Sequence, residues 1–381
     1  MKKILFIFGT RPEAIKLAPV IKEFEKHGKF EPVVCVTAQH RQMLDQVLGI
    51  FRVVPDYDLN LMKENQTIQE VASNALLGLR DVIKKVRPDV VLVQGDTTTA
   101  FTGSLAAFYE RITVGHVEAG LRTNDKYRPF PEEINRRLTG QIADIHFTPT
   151  RKSRENLLKE GVDRERVHVT GNTVIDALLT VVESQKKPEE RHRWVEFFRK
   201  AGISLGNSGR RILVTAHRRE SFGEGFLNIC NALKEIAEKY PDVDLIYPVH
   251  LNPNVRVPVN SILRGIKNVR LIEPLEYEPF VFLMSESYFI LTDSGGIQEE
   301  APSLKKPVLV MRETTERPEG IQAGSARLVG VKTDGIVEHA KKLLGDEADY
   351  KEMSCKANPY GDGKASEKIA RILSAGHRCH G

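Results

Sequence analysis

Short apolar runs alternate with longer amphipathic segments along the whole chain. In the first half, runs such as KILFIFG, EPVVCVTA and VVLVQGD are separated by stretches whose apolar residues recur at helical spacing. The same alternation starts again at RRILVTA in the second half. Alternating β-branched runs and helices are typical of parallel sheets with helices on both faces. The pattern predicts an α/β protein of two Rossmann-like domains that face each other across a cleft.

The boundary between the two halves is visible as a change in composition. Residues 184–210 are highly charged and end in small, turn-forming residues, so we place the linker there. A chain of 381 residues also exceeds what one hydrophobic core usually serves. We therefore expect an N-terminal domain at 1–184 and a C-terminal domain at 185–363, with a last helix at about 364–381.

Charge and cysteine usage exclude several classes of function. The net charge is +5 with both signs spread along the chain, so no basic arm indicates nucleic acid. The four cysteines are far apart and form no CxxC pair, which argues against a zinc site or a disulfide framework. The sequence contains no run of about 18 apolar residues, so we expect no membrane-spanning helix. The apolar part of MKKILFIFGT is too brief for a signal peptide. We expect a cytoplasmic protein.

A glycine turn in the second half has the composition of a phosphate site. The apolar run YFILT ends in an acid followed by Ser294, Gly295 and Gly296, after which IQEEA resembles a first helical turn. Backbone N–H groups at such a helix start suit a phosphate, and a carboxylate one turn later, Glu299 or Glu300, could take the two ribose hydroxyls. An ordinary turn with a capping serine is the alternative. The turn differs from the dinucleotide fingerprint, so no nicotinamide cofactor is expected.

Carboxylates follow two apolar runs of the first half. Asp96 follows VVLVQG and Glu118 follows ITVGHV, at strand ends where open α/β sheets bind ligands. Like charges at close range raise at least one pKa, which suits proton transfer. Asp96 could instead cap the helix that starts TTTA. Glu132 and Arg136, four residues apart, share a helix face and form either a solvated pair or part of the cleft.

Basic side chains and histidines also follow the predicted strands. Their positions indicate an anion-handling site, although a histidine at a strand end is more often structural. These residues are Arg11, Lys16, His217, Arg218, His250 and Arg312.

A series of motifs, in one order from Lys3 to about Leu373, resembles the non-hydrolysing UDP-N-acetylglucosamine 2-epimerase family. The resemblance implies a glycosyltransferase B-type fold, a homodimer, and a last helix that crosses back to the N-terminal domain. The motifs are FGTRPEAIKLAP, TAQHRQMLDQ, VQGDTTTA, HVEAGLRT, PEEINRRLTG, TAHRRES, PVHLNPNV, LTDSGGIQEEAP, MRETTERPEG and NPYGDG.

The resemblance implies a reaction as well as a fold. Family members convert UDP-N-acetylglucosamine reversibly into UDP-N-acetylmannosamine by anti elimination of UDP and re-addition through 2-acetamidoglucal, for polysaccharide synthesis. No metal and no cofactor are implied. The implied acids and bases are Asp96, Glu118 and Glu132, supported by Arg136 and His217.

The same resemblance assigns binding residues. Arg11 would lie near the uracil, Ser294, Gly295 and Gly296 at the phosphates, and Glu299 and Arg312 around the ribose. A second UDP-N-acetylglucosamine site that activates catalysis would comprise Gln39, His40, Gln42, Gln66, Arg218 and His250. Asn65, where many relatives carry arginine, and Ala216, where glycine is common, depart from the family pattern.

Three classes of function stay open on the sequence alone. The first is the epimerase. The second is a hydrolysing relative or a glycosyltransferase of the same fold, and the third is a nucleotide-sugar sensor without catalysis. Because a sensor needs no acid–base pair, the presence of Asp96, Glu118 and Glu132 in their motifs argues against the third.

Overall fold

The computed structural model describes residues 1–37, 41–61, 66–205 and 209–375. The chain divides into two compact units, of which the first combines Met1–Ala177 with the segment from Tyr360 onward and the second is Leu178–Pro359. Each unit contains one parallel β-sheet with helices packed on it. The predicted α/β class with two parallel sheets is therefore confirmed.

The first unit has a seven-stranded sheet in the order β3-β2-β1-β4-β5-β6-β7. Its strands are buried and rich in valine and isoleucine, as expected for a parallel sheet that is covered on both faces. The elements are β1 Lys2–Phe8, α1 Arg11–Lys26, β2 Phe30–Val36, α2 Arg41–Phe51, β3 Tyr57–Asp58, α3 Ile68–Val86, β4 Val90–Gln94, α4 Thr98–Tyr109, β5 Thr113–Val117, α5 Glu132–Ile142, β6 Ile145–Thr148, α6 Arg151–Lys159, β7 Val167–Val169 and, near the end of the chain, α16 Ala365–Ser374. Helix α7, Thr173–Gln185, begins in this unit and continues into the second.

The second unit has a six-stranded sheet in the order β10-β9-β8-β11-β12-β13. The charged segment 184–210 contributes mainly a helix, α8. The elements are α8 Pro188–Lys200, β8 Arg210–Thr215, α9 Glu224–Lys239, β9 Val243–Pro248, α10 Pro253–Leu263, β10 Val269–Ile272, α11 Tyr277–Glu286, β11 Phe289–Thr292, α12 Gly295–Glu300, β12 Val308–Val310, α13 Pro318–Ala323, β13 Ala326–Leu328, α14 Thr333–Gly345 and α15 Glu347–Ser354.

In each sheet the strand order reverses direction once, between β1 and β4 in the first unit and between β8 and β11 in the second. Loops that follow neighbouring strands at such a switch point leave in opposite directions, which opens a crevice where α/β sheets bind their ligands. Residues 9–13 and 95–97 border the first switch point, and residues 216–218 and 293–296 border the second.

Helix α16 completes the first unit from the far end of the chain. It packs on α1 through an apolar face that includes Ile369 and Leu373. Lys2 Nζ donates to the Leu373 carbonyl at 2.9 Å. The buried Asp176 carboxylate accepts the N–H groups of Ala365 and Ser366, at 3.2 and 2.7 Å, and so caps the start of the helix.

Over the described ranges, no helix is long and apolar enough to cross a membrane.

Candidate active site

Glu118 is a carboxylate at the first switch point that accepts hydrogen bonds from three other side chains. It follows β5 directly, is buried, and has a left-handed φ of 63°. Lys16 Nζ, from α1, donates to both of its oxygens at 2.6 and 2.7 Å. The side-chain amide of Gln94 donates to Oε2, and that of Asn172 donates to Oε1 at 3.0 Å. Donors from α1, from β4 and from the segment after β7 thus fix the position of this carboxylate, and the positive charge of Lys16 balances its negative charge.

Asp96 lies one residue beyond β4 and pairs with Arg136 of α5. The amide of Asn135 donates to the Asp96 carbonyl at 3.1 Å, so α5 holds both the side chain and the backbone of this residue. The alternative role as a helix cap is wrong, because α4 is capped by Thr97, whose hydroxyl accepts the Ala100 N–H at 3.0 Å. The Asp96 side chain therefore pairs with Arg136 and does not cap α4.

Glu132 opens α5, and Pro131 directly precedes the helix. Its Oε2 atom is buried and accepts no hydrogen bond from any described residue. Arg136, predicted as its helix-face partner, instead contacts Asp96 and, at 3.4 Å, the neighbouring Glu133.

Burial opposes ionisation of Glu133, but the N–H donor of Thr123 and nearby arginines lower the pKa of this carboxyl group.

Two buried residues near the ends of predicted strands, to which no motif gave a specific role, support the same switch point. Glu13 accepts the N–H groups of Gly9 and Thr10 at 3.1 and 2.8 Å and the Thr97 hydroxyl at 2.6 Å, which joins the loops after β1 and β4. Burial raises its pKa. Its sequence signal was the capping box that starts at Thr10.

His116, on β5, is the second of these residues. Its Nε2 lies 2.7 Å from the Gly95 carbonyl, so this nitrogen carries the hydrogen and the ring anchors the turn before Asp96. Burial lowers the pKa of His116 to about 4. The imidazole is therefore neutral at pH 7.

At the second switch point the glycine turn is formed as predicted. Helix α12 starts at Gly295, and Ser294 precedes it without a capping hydrogen bond from its side chain, so the capping-serine alternative is wrong. A Cβ atom at Gly295 would lie 3.7 Å from Arg218 Nη2 and 3.7 Å from Arg317 Cζ. Two guanidinium groups therefore border the turn.

Asp293 connects this turn with the loop after β8. The fully buried carboxylate accepts the backbone N–H groups of His217 and Arg218 at 2.6 and 2.7 Å. The His217 ring stacks on His250, with 5.3 Å between centroids and 15° between planes. Burial lowers the pKa of His217, against the attraction of Asp293.

Two residues that were predicted to contact the nucleotide form ion pairs with other side chains of the protein. Glu299 is buried and paired with Arg317. Arg312 is equally buried and donates to Glu220 at 2.6 Å and to Glu316 at 2.7 and 3.1 Å. Burial opposes ionisation of Glu316, but the Arg312 guanidinium brings its pKa down to about 2. The nucleotide roles of Glu299 and Arg312 stay predictions.

Glu300 is the acidic residue that the structure brings to the glycine turn. Its Oε1 lies 3.6 Å from the position of a Cβ atom at Gly296. The sequence offered Glu299 and Glu300 with equal standing, and helical geometry turns the first inward and the second toward the turn. The remaining nucleotide prediction, Arg11, opens α1 and is half-buried.

The predicted activating site is described only in part. Gln39, His40 and the atypical Asn65 lie outside the described residues, as does the side chain of Gln42. Gln66 precedes α3 in the first unit, whereas Arg218 and His250 belong to the second unit. The assignment stays a prediction.

Two parallel sheets, each with charged side chains at its switch point, define an α/β protein with the glycosyltransferase B-like fold. The family model described as UDP-N-acetylglucosamine 2-epimerase matches residues 22–374. The UDP-N-acetylglucosamine 2-epimerase of Escherichia coli K12 is 57% identical over 375 residues, which are 97% of this chain and 98% of that protein. This chain therefore belongs to the UDP-N-acetylglucosamine 2-epimerase family, and the predictions of the family and of an isomerase are confirmed.

Solved structures agree with this assignment. The UDP-GlcNAc 2-epimerase of Neisseria meningitidis, bound to UDP-GlcNAc, matches 98% of this chain and 100% of its own, with 52% identity and a TM-score of 0.89. The enzyme of Methanocaldococcus jannaschii, in complex with UDP-GlcNAc and UDP, matches 98% of this chain and 100% of its own, with 36% identity and a TM-score of 0.79.

Proposed function

We propose that this protein interconverts UDP-N-acetylglucosamine and UDP-N-acetylmannosamine by anti elimination of UDP and re-addition through 2-acetamidoglucal. The observation that carries the proposal is the buried Glu118 carboxylate, held by Lys16, Gln94 and Asn172 at the switch point of the first sheet. Because these donors fix its position, the Glu118 carboxylate is suited to exchange a proton with one particular atom of a substrate. Relatives were crystallised with UDP-GlcNAc and UDP, which supports the choice of substrate.

The chemistry requires acid–base groups on opposite faces of the sugar. One carboxylate takes the proton from carbon 2 while the bond between carbon 1 and the diphosphate oxygen breaks, and the electron pair of that bond leaves with UDP. A second group then delivers a proton to the other face as UDP returns. Asp96, Glu118 and Glu132 supply this set, and Arg136 holds Asp96 in place. The buried Oε2 of Glu132 accepts no hydrogen bond from any described residue, which supports a contact with the substrate.

The leaving diphosphate needs fixed positive charge, because carbon 2 is poorly acidic without its departure. We assign this task to the second unit, where Arg218 and Arg317 border the Ser294–Gly296 turn and Asp293 fixes the loop of His217. Donors that are already oriented stabilise developing charge without reorganisation. In this proposal the carboxylates Asp96, Glu118 and Glu132 belong to the first unit, and the contacts to the diphosphate belong to the second.

Proton NMR of UDP-N-acetylglucosamine in deuterated buffer, with a chelator and without nicotinamide, tests the function. We expect UDP-N-acetylmannosamine to form, with deuterium at carbon 2 of both sugars and with intact diphosphates. Free N-acetylmannosamine and UDP would instead identify a hydrolase. An unchanged spectrum, with UDP still bound, would contradict the proposal in favour of a transferase or a sensor.

The active form is proposed to be a homodimer. Helices α3 and α4 pack against each other and expose Leu77, Phe108 and Tyr109, each more than half accessible. Such a patch is typical of an interface. We expect light scattering to show a dimer that Leu77→Asp with Phe108→Asp converts to a monomer. Leu227→Asp, at an exposed leucine of the second unit, is the control. A monomeric parent protein would contradict this proposal.

Activation by the substrate is also part of the proposal. Because His250 stacks on His217, a ligand that contacts His250 can act on a catalytic side chain. We expect the reaction of UDP-N-acetylmannosamine to accelerate when trace UDP-N-acetylglucosamine is added, and His250→Ala to remove the acceleration. A hyperbolic rate curve of the parent enzyme that trace UDP-N-acetylglucosamine leaves unchanged would exclude activation.

We also propose the cellular compartment of the enzyme and the use of its product. Cys35 and Cys230 are buried free thiols, which supports a reducing compartment such as the cytoplasm. The resemblance of the motifs to the family supports cell-surface polysaccharide synthesis as the use of the product.

A further inference from the structure

Asn172, between β7 and α7, is buried and has every polar group engaged. Its side-chain amide donates to Glu118 Oε1 at 3.0 Å, and its Oδ1 accepts the Val174 N–H at 3.1 Å. Its carbonyl accepts the Ile175 N–H at 3.1 Å, and its own N–H donates to the Tyr360 carbonyl at 2.7 Å. The amide therefore has one orientation, in which the N–H faces Glu118.

The Tyr360 carbonyl belongs to the segment through which the chain re-enters the first unit. Gly171 adopts a φ of 95°, and a Cβ atom there would lie 3.3 Å from the Gly361 Cα and 3.4 Å from the Tyr360 oxygen. Only glycine combines this backbone conformation with so close an approach. The NPYGDG motif thus lies directly against the peptide that carries Asn172.

We infer that Asn172 is a positioning residue for the Glu118 carboxylate and that the returning segment at Tyr360 holds Asn172 in place. The inference rests on the proposed function, in which Glu118 exchanges the proton. Lys16 neutralises Glu118 but sits on a flexible stem. The Asn172 amide is planar and fixed, so it sets the rotation of the carboxylate and favours its ionised form.

Other charged and titratable groups near Glu118 also influence how its carboxylate titrates. Lys16 faces it from α1 and His116 precedes it on β5. Gly95, in the loop after β4, lies against its Oε2, and Asp96 follows in that loop with Arg136 as its partner. A variant at Asn172 leaves all these groups in place.

Asn172→Asp is the sharpest test, because it keeps the size of the side chain and the acceptor for Val174 but replaces the donor with a second carboxylate. We expect kcat to fall at least tenfold and the acidic limb of the kcat profile to move up by about one pH unit. KM for UDP-N-acetylglucosamine should change less than threefold. In the control Asn156→Asp, whose amide donates to the Gly120 carbonyl at 3.0 Å, the limb should not move.

A second measurement keeps the test decisive if the variant does not fold. In the parent protein the Asn172 side-chain amide resonance should follow a titration that disappears in Glu118→Gln. A folded Asn172→Asp enzyme with an unmoved limb, or an amide resonance that is indifferent to Glu118, would overturn the inference. A parent protein without epimerase activity would instead refute the proposed function, while the amide titration would still decide whether Asn172 responds to Glu118.

Discussion

Glu118→Gln is expected to lower kcat by a factor of about 10²–10⁴, the usual contribution of a positioned acid or base. The amide cannot exchange a proton, and its NH₂ group would meet the donors of Lys16, Gln94 or Asn172. Binding of UDP should be unchanged, because the proposed phosphate contacts belong to the second unit and the variant leaves Arg11 in place. Rates from the NMR assay and UDP affinity from calorimetry separate the two effects.

Glu160→Gln is the matched control for that variant. Glu160 also pairs with a basic side chain of the first unit, Arg122, at 2.8 and 2.7 Å, but lies outside the proposed acid–base set. It should keep most of the activity. If Glu118→Gln kept kcat within tenfold of the parent enzyme, Glu118 would not exchange the proton.

Acid is expected to destabilise the first unit through two buried histidines. His116 and His146 are neighbours on β5 and β6, and burial lowers their pKa values to about 4 and about 3. The unfolded chain takes up these protons below about pH 6.5 and the folded chain does not. The stability is therefore complete above pH 6.5 and falls as the pH approaches 4, by up to about 1.4 kcal/mol per pH unit for each histidine.

Thermal unfolding between pH 7.5 and 5 measures this loss. Across the interval below pH 6.5 the two histidines together cost on the order of 4 kcal/mol, a large part of the 5–15 kcal/mol typical of a domain. His146→Phe should unfold with a visibly shallower dependence on pH, whereas His192→Gln, at an exposed histidine, should not. Equal slopes in the parent protein and His146→Phe would contradict the assignment.

The fold was predictable because parallel α/β sheets have a strong periodic signature. The start of α12 at the glycine turn and the carboxylates at the ends of β4 and β5 follow from that signature and from the rule that ligands bind beyond the carboxyl ends of strands. The coordination of Glu118 did not follow. Lys16, Gln94 and Asn172 come from distant parts of the chain, and no local pattern reports which amides converge on one carboxylate.

Arg312 shows a second kind of information that the sequence pattern lacks, namely the ion-pair partners of a charged side chain. Its position after a strand is correct, but Glu220, which is 92 residues away in the chain, and Glu316 occupy its guanidinium. A strand-end position predicts where a charge lies and not what neutralises it. Arg317 follows the same strand and does lie at the glycine turn, whereas the contact of Arg218 with that turn became apparent only from three-dimensional packing.

The first unit is assembled from two segments that are separated by the whole of the second, and this order matters during synthesis. A ribosome that adds about 5–20 residues per second needs roughly 10–40 s to pass from Ala177 to Tyr360. Until then the α1 surface that α16 covers is exposed, and Asn172 lacks its backbone acceptor. The nascent first unit is thus a candidate for chaperone binding, although it is translated first. The support that Tyr360 gives to Asn172, and through it to Glu118, is complete only when the returning segment has been made.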